Sequence, residues 1–223
     1  MKYISSRMIS RLCFILALVL PLALKAQSNP WPAWDADVVR ALNTGAGSKY
    51  LNEEEKKVIL FMNMARHEGP LFAETFLNSY IQENQLGKSS YIKSLRRDLK
   101  KISGLTPLLP KEDLTAVAQG HAQLSGRKGT TGHSGFKERF EPLLGNPYNH
   151  VGENCSYGYE KAIHIVISLL IDEGIQSLGH RNNILAPDFN AIGVAIRPHK
   201  TYRTNCVMDF GSMDISGMNE LPY

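Results

Sequence analysis

The chain has 223 residues, 43% of them apolar, and a formal charge of +4 from 25 basic and 21 acidic residues. The excess sits in the first 26 residues, which hold Lys2, Arg7, Arg11 and Lys25 and no acid, so residues 27–223 balance at 21 against 21. A neutral remainder of that length suffices for one well-buried domain, and it gives no support to nucleic acid or another anionic polymer as partner.

Residues 1–26 carry a basic start, an apolar run from Leu12 to Leu24, and Ala26 before Gln27. They read as a secretory signal peptide, the run being too short to span a bilayer. Cys13 opens that run, the wrong end for lipid attachment, so the mature chain is expected to be secreted, extracellular or periplasmic, without a membrane span. Cys155 and Cys206 are the cysteines that survive processing. An even pair in an oxidising compartment suggests one disulfide, against the alternative of two buried free thiols.

From residue 27 to 50 the mixture of Pro, Gly, Ser and Asn with Trp31 and Trp34 reads as a linker or N-terminal arm, tied down by its aromatics, and residues 51–223 read as the domain. Asn52 caps a helix whose first turn holds Glu53, Glu54 and Glu55, and Val58, Ile59 and Met62 carry its apolar spacing toward Gly69-Pro70. A second helix is expected over Leu71 to Glu83. In SYIKSLRRDLKKI, Ile92, Leu95, Leu99 and Ile102 share one face and Lys93, Arg96, Arg97, Lys100 and Lys101 the other. Such a basic face is ordinarily solvated, and an acidic surface or a membrane is the other reading. Helices through LTAVAQGHAQLSG and from Lys161 to Glu173 follow, and residues 151–159, 191–196 and 205–210 read as strands of a small sheet.

Glu153, in VGENCSYGY, is a carboxylate on an otherwise apolar strand, and it requires a partner, a metal or a proton. Among seven histidines, His67 suits a helix C-terminus, His199 a polar turn, His150 an exposed loop and His121 a satisfied core position. His133 and His180 each follow a glycine in a loop near a helix end, where an imidazole faces a cleft. Before His180, the positions Lys161, His164, Ser168 and Asp172 form one polar stripe. Glu173 falls outside it, on the apolar side with Val166, Leu169 and Leu170, and so is the second misplaced carboxylate. Two histidines and two carboxylates suit zinc or another divalent metal, and equally an acid and base pair. A serine nucleophile at Ser134 is disfavoured, because the second glycine of a nucleophile elbow would fall at Phe136.

The segments FMNMARHEGPLFA, GHSGF, VGENCSYGY, LLIDEGIQSLGHRNNIL, FNAIGVAI and CVMDF, in that order, resemble the CAP superfamily of cysteine-rich secretory, antigen 5 and pathogenesis-related proteins (the SCP domain), in particular its bacterial exported branch. The resemblance spans roughly residues 51–212. It implies an α+β fold, an α-β-α sandwich with a small antiparallel sheet between helices and a large cleft. It also implies a cleft tetrad of His133, Glu153, His180 and Glu173, with Asp172 as the other candidate for the fourth place. His133 and His180 would bind the metal, while Glu153 and Glu173 would orient water or complete the shell. Family members are linked to lipid, sterol, metal or protein ligands, so a lipid, sterol or peptide ligand in the cleft is the expected partner, with a metal-assisted hydrolase as the alternative.

Overall fold

The computed structural model describes residues 31–214. The signal peptide expected over residues 1–26 lies outside the described residues.

The described part of the arm is folded. Asp35 accepts from the amides of Asp37 and Val38 and so opens α1 (Ala36–Leu42). Trp34 is buried and donates its indole N–H to Thr75 Oγ1 at 3.1 Å, while Trp31 packs against the rings of Phe61 and Phe76. Helix α2 (Glu53–His67) starts in a reciprocal capping box between Asn52 and Glu55, as its acidic first turn suggested. The next helical stretch combines α3 (Gly69–Phe72), a π turn and α4 (Asn78–Glu83). Ile92, Leu95 and Leu99 form the buried stripe of α5 (Ser90–Leu99). Among the described residues no helix is long and apolar enough to cross a membrane.

Four strands form the sheet: β1 (Leu109–Pro110), β2 (Tyr148–Tyr157), β3 (Ala191–His199) and β4 (Arg203–Met213), in the order β1-β3-β4-β2. All neighbours are antiparallel except β1 and β3. Helix α6 (Glu112–Lys128) covers one face, where Ala118 and Ala122 meet Cys155, Ala195 and Val207. Helix α2 and helix α8 (Ala162–Ile171) cover the other, on a larger core that includes Ile192, Val194, Cys206, Met208 and Phe210. The fold is thus an α-β-α sandwich, and β3 is apolar on both faces because both are covered. Gly193 is required here: a Cβ on it would run into the backbone of Leu114 and Thr115, so α6 approaches the sheet closely only because the side chain is missing.

The expected disulfide is corrected. Both cysteines are free thiols, and the strand register gives the reason. Cys155 lies opposite Val207 and Cys206 opposite Ser156, adjacent rungs of the ladder, so their side chains leave on opposite faces. Cys155 belongs to the α6 side and Cys206 to the α2 side, with the sheet between them.

Besides α1 in the arm, two short helices went unpredicted: α7 (Phe136–Phe140), after the His133 loop, and α9 (Gly179–Leu185), which holds His180 in its first turn. The segment around α9 is anchored from α2. The Arg66 guanidinium, fully buried, donates to the carbonyls of Thr106, Ile184, Ala186 and Phe189 at 2.7–3.1 Å. Burial pulls its pKa down to about 10, which leaves it charged. Replacing Arg66 by Met would orphan four carbonyls, each worth about 1–3 kcal/mol when buried unpaired. The expected loss of folding free energy is at least about 4 kcal/mol by urea unfolding, and a loss under about 1 kcal/mol would mean that the carbonyls find other donors.

Candidate functional site

Strand β2 forms one edge of the sheet, and the site is built on both sides of it. On the α6 side, residues of one parity point toward the helix, so Glu153 lies between Val151 and Cys155. The Glu153 side chain is 0% exposed. Its Oε1 receives His133 Nδ1 at 2.8 Å and Arg139 Nη2 at 3.0 Å, and its Oε2 receives Arg139 Nη1 at 2.6 Å. Burial by itself would raise the Glu153 pKa. The His133 hydrogen bond and the Arg139 fork outweigh it and hold the carboxyl down at about 2. The ring of His133 remains 48% exposed above this buried charge.

The loop that presents His133 is pinned from below. Gly132, at φ +89°, donates its amide to Tyr157 Oη at 2.8 Å, and its carbonyl accepts His121 Nε2–H at 2.9 Å. Two residues earlier, the Thr130 carbonyl accepts His199 Nε2–H at 3.0 Å. His121 is therefore the satisfied core histidine expected, with its pKa lowered mainly by burial. His199, expected in a polar turn, is buried and holds the loop. His150 is exposed as expected, paired to Asp188 at 3.0 Å and stacked on Phe189.

On the other side of β2, His180 Nδ1 meets Asp172 Oδ1 at 2.7 Å, and Asp172 Oδ2 takes the amides of His180 at 3.0 Å and Arg181 at 3.3 Å. The assignment of Glu173 on its helix face is corrected. Helix α8 ends at Ile171 rather than Glu173, and Asp172 adopts the left-handed conformation at φ 57°, so the 3.6-residue stripe stops before either acid. The turn sends Asp172 inward, its side chain 1% exposed, and leaves Glu173 exposed, accepting a bond from Ser89 Oγ at 2.5 Å. Asn154 ties the two halves together, donating to the His180 carbonyl at 2.9 Å and accepting from Asn183.

Asp209 was missed. It faces Glu153 across β2 and β4, completely buried, with no donor to either oxygen among the described residues. Burial first, and the neighbouring Glu153 charge second, raise its pKa well above the ordinary range. Both effects favour its protonated form. The same signal that singled out Glu153, an acid in an apolar strand, was present in CVMDF. Arg139 had no comparable signal, since a basic residue in FKERF looks solvent-bound.

The metal question has two parts. In the His133 and His180 pairs each Nδ1 is committed to a carboxylate, which leaves Nε2 without a partner among the described residues and fits the carboxylate–histidine–metal arrangement. Beneath them, His121, Glu153 and Cys155 have ligand atoms within 4.8 Å of one another and form a buried group that could hold a metal ion. This deeper group fits less well. His121 Nε2–H is spent on Gly132, both Glu153 oxygens are bonded, and burial pushes the Cys155 thiol far up.

The sequence profile of the cysteine-rich secretory protein (CAP) family matches residues 69–210, more than half of the chain. The chain belongs to this family. Among solved structures it is similar to an outer surface protein from Borrelia burgdorferi, at 22% identity over 56% of this chain and 90% of that one, TM-score 0.42. It is also similar to venom allergen-like protein 4 from Schistosoma mansoni, at 12% identity over 74% of this chain and 91% of that one, TM-score 0.46. A cysteine-rich secretory protein from Staphylococcus aureus is similar at 18% identity over 55% of this chain and 38% of that one, TM-score 0.37. Comparison with curated proteins yields no match.

Asp209 leads to a pH prediction. An acid whose folded pKa lies above its unfolded value destabilises the fold as pH rises past the unfolded value, because only the unfolded chain then ionises. Asp209→Asn keeps the size of the side chain and removes its titratable proton. The variant is expected to melt higher than wild type at pH 7 and to show little difference at pH 3, measured by thermal unfolding across pH. A lower melting temperature at pH 7 would mean that Asp209 is ionised and paired in the folded chain.

Proposed function

We propose that the chain is an exported CAP-domain protein whose cleft binds one divalent metal ion, zinc by its donor chemistry, through His133 and His180. The observation that carries this reading is the matched pair of imidazoles, each with Nδ1 held by a buried carboxylate and Nε2 left over. Glu153 and Asp172 then act as orienting groups, which fix the tautomer and the direction of each ring. Such an ion would supply positive charge and open coordination positions for a small apolar or peptide ligand.

The alternative, a metal-assisted hydrolase with Glu153 or Glu173 as base, is less well supported. A general base works best with a pKa near the operating pH. Glu153 is held at about 2 with both oxygens bonded, and Glu173 is turned to solvent. Export itself rests on residues 1–26 and on the family.

Zinc titrated calorimetrically into the exported form should bind once per chain. His133→Ala and His180→Ala should each weaken binding by well over ten-fold, and Asp172→Asn by roughly ten- to a hundred-fold, the usual cost of losing an orienting partner. Glu173→Gln should change nothing. Unchanged affinity in both histidine variants would place the ion elsewhere, with the buried His121 group the next to test.

A further inference from the structure

Charge on this molecule is unevenly placed. Although residues 27–223 carry 21 basic and 21 acidic side chains, Lys88, Lys93, Arg96, Arg97, Lys100 and Lys101 fall within one short segment that contains a single acid, Asp98. All six cations are exposed on or beside α5, whose other face is buried through Ile92, Leu95 and Leu99. Asp98 does little to neutralise them: its Oδ2 is taken at 2.9 Å by the buried Arg181, and Arg97 approaches the other oxygen only at 3.6 Å. Arg96 bonds the neutral Asn78 side chain at 2.6 Å, and Lys88, Lys93, Lys100 and Lys101 form no ion pair among the described residues. The rest of residues 27–223 therefore carries a matching negative excess.

Beside this face lies a groove of about 650 Å³ between α4 and α5. Ile81, Leu86 and Ile92 give it an apolar lining, Lys88, Lys93 and Arg96 line it as well, and no acid does. Leu86, on the connection between the two helices, is 37% exposed. Cations around an exposed apolar tip match the interface of an anionic bilayer, where lipid phosphates meet acyl chains. A nucleic acid or a soluble polyanion would use the charges and leave the apolar part of the groove unexplained.

We propose that the α5 face and the α4–α5 groove form a docking surface for an anionic lipid membrane, with the cations of residues 88–101 on lipid phosphates and Leu86 at the acyl boundary. The clustered cations draw this face toward the anionic surface, and attachment is peripheral and reversible. This surface is separate from the His133 and His180 pairs and holds whether or not those bind a metal.

The test is co-sedimentation of the exported form with vesicles of phosphatidylglycerol and phosphatidylcholine against vesicles of phosphatidylcholine alone, at low and high salt. Binding should be at least roughly ten-fold stronger to the anionic vesicles and should fall steeply with salt. Lys93→Glu/Arg96→Glu/Arg97→Glu should abolish it, with circular dichroism checking the fold. Lys100→Glu/Lys101→Glu serves if the triple variant does not fold, and Leu86→Asp should weaken binding without changing its salt dependence. Equal sedimentation with both vesicle types, or undiminished binding in the charge-reversed variants, would overturn the proposal. Capture by soluble polyphosphate as tightly as by vesicles, with no effect of Leu86→Asp, would also overturn it and assign the face to a polymer.

Discussion

A carboxylate removed wholly from water has to be neutralised where it stands, and at Glu153 much of the site follows from that constraint. Its charge is met by the Arg139 fork from one side and by the His133 imidazole from another. Each partner fixes a piece of chain: Arg139 holds α7 against the sheet, and His133 holds the tip of the loop before it. Asp209, opposite on β4, is pushed toward its protonated form by burial and by the neighbouring Glu153 charge. The result is a rigid, nearly neutral cluster below and an exposed imidazole above.

The second half of the site obeys the same logic with different means. Asp172 gathers the His180 ring and two amides at the start of α9, which gives that short helix the N-terminal anion its dipole favours. Two buried arginines then lock the segment. Arg181 reaches the carbonyls of Leu170, Ile171 and Tyr91, and Arg66 takes those that follow the helix. Asn154 joins β2 to the His180 backbone, so the segments that carry both histidines are tied to one edge strand. Both oxygens of Glu153 are engaged in this arrangement.

Much of this was readable from local patterns. The Asn52 cap, the buried stripe of α5 and the β3 and β4 runs depend on residues within a turn or a strand of one another, and each formed as its spacing indicates. Errors arose where a pattern was extended past a break. Helical spacing carried through residue 173 put Glu173 on the inward face, whereas a left-handed residue at 172 ends the helix and turns Asp172 inward. Cysteine counting joined two residues that strand parity keeps apart.

Taken alone, the sequence determined the main helices and strands by periodicity, the family and its fold by the resemblance of short motifs, and singled out His133, His180 and Glu153 for chemical attention. Only the tertiary structure decided what each charged group faces. Arg139, Asp209, His199 and Asp172 acquire their roles from partners 14 to 69 residues away or from a single backbone reversal. No local spacing encodes such contacts, because a buried charge takes its meaning from whatever the completed fold places within about 3 Å of it.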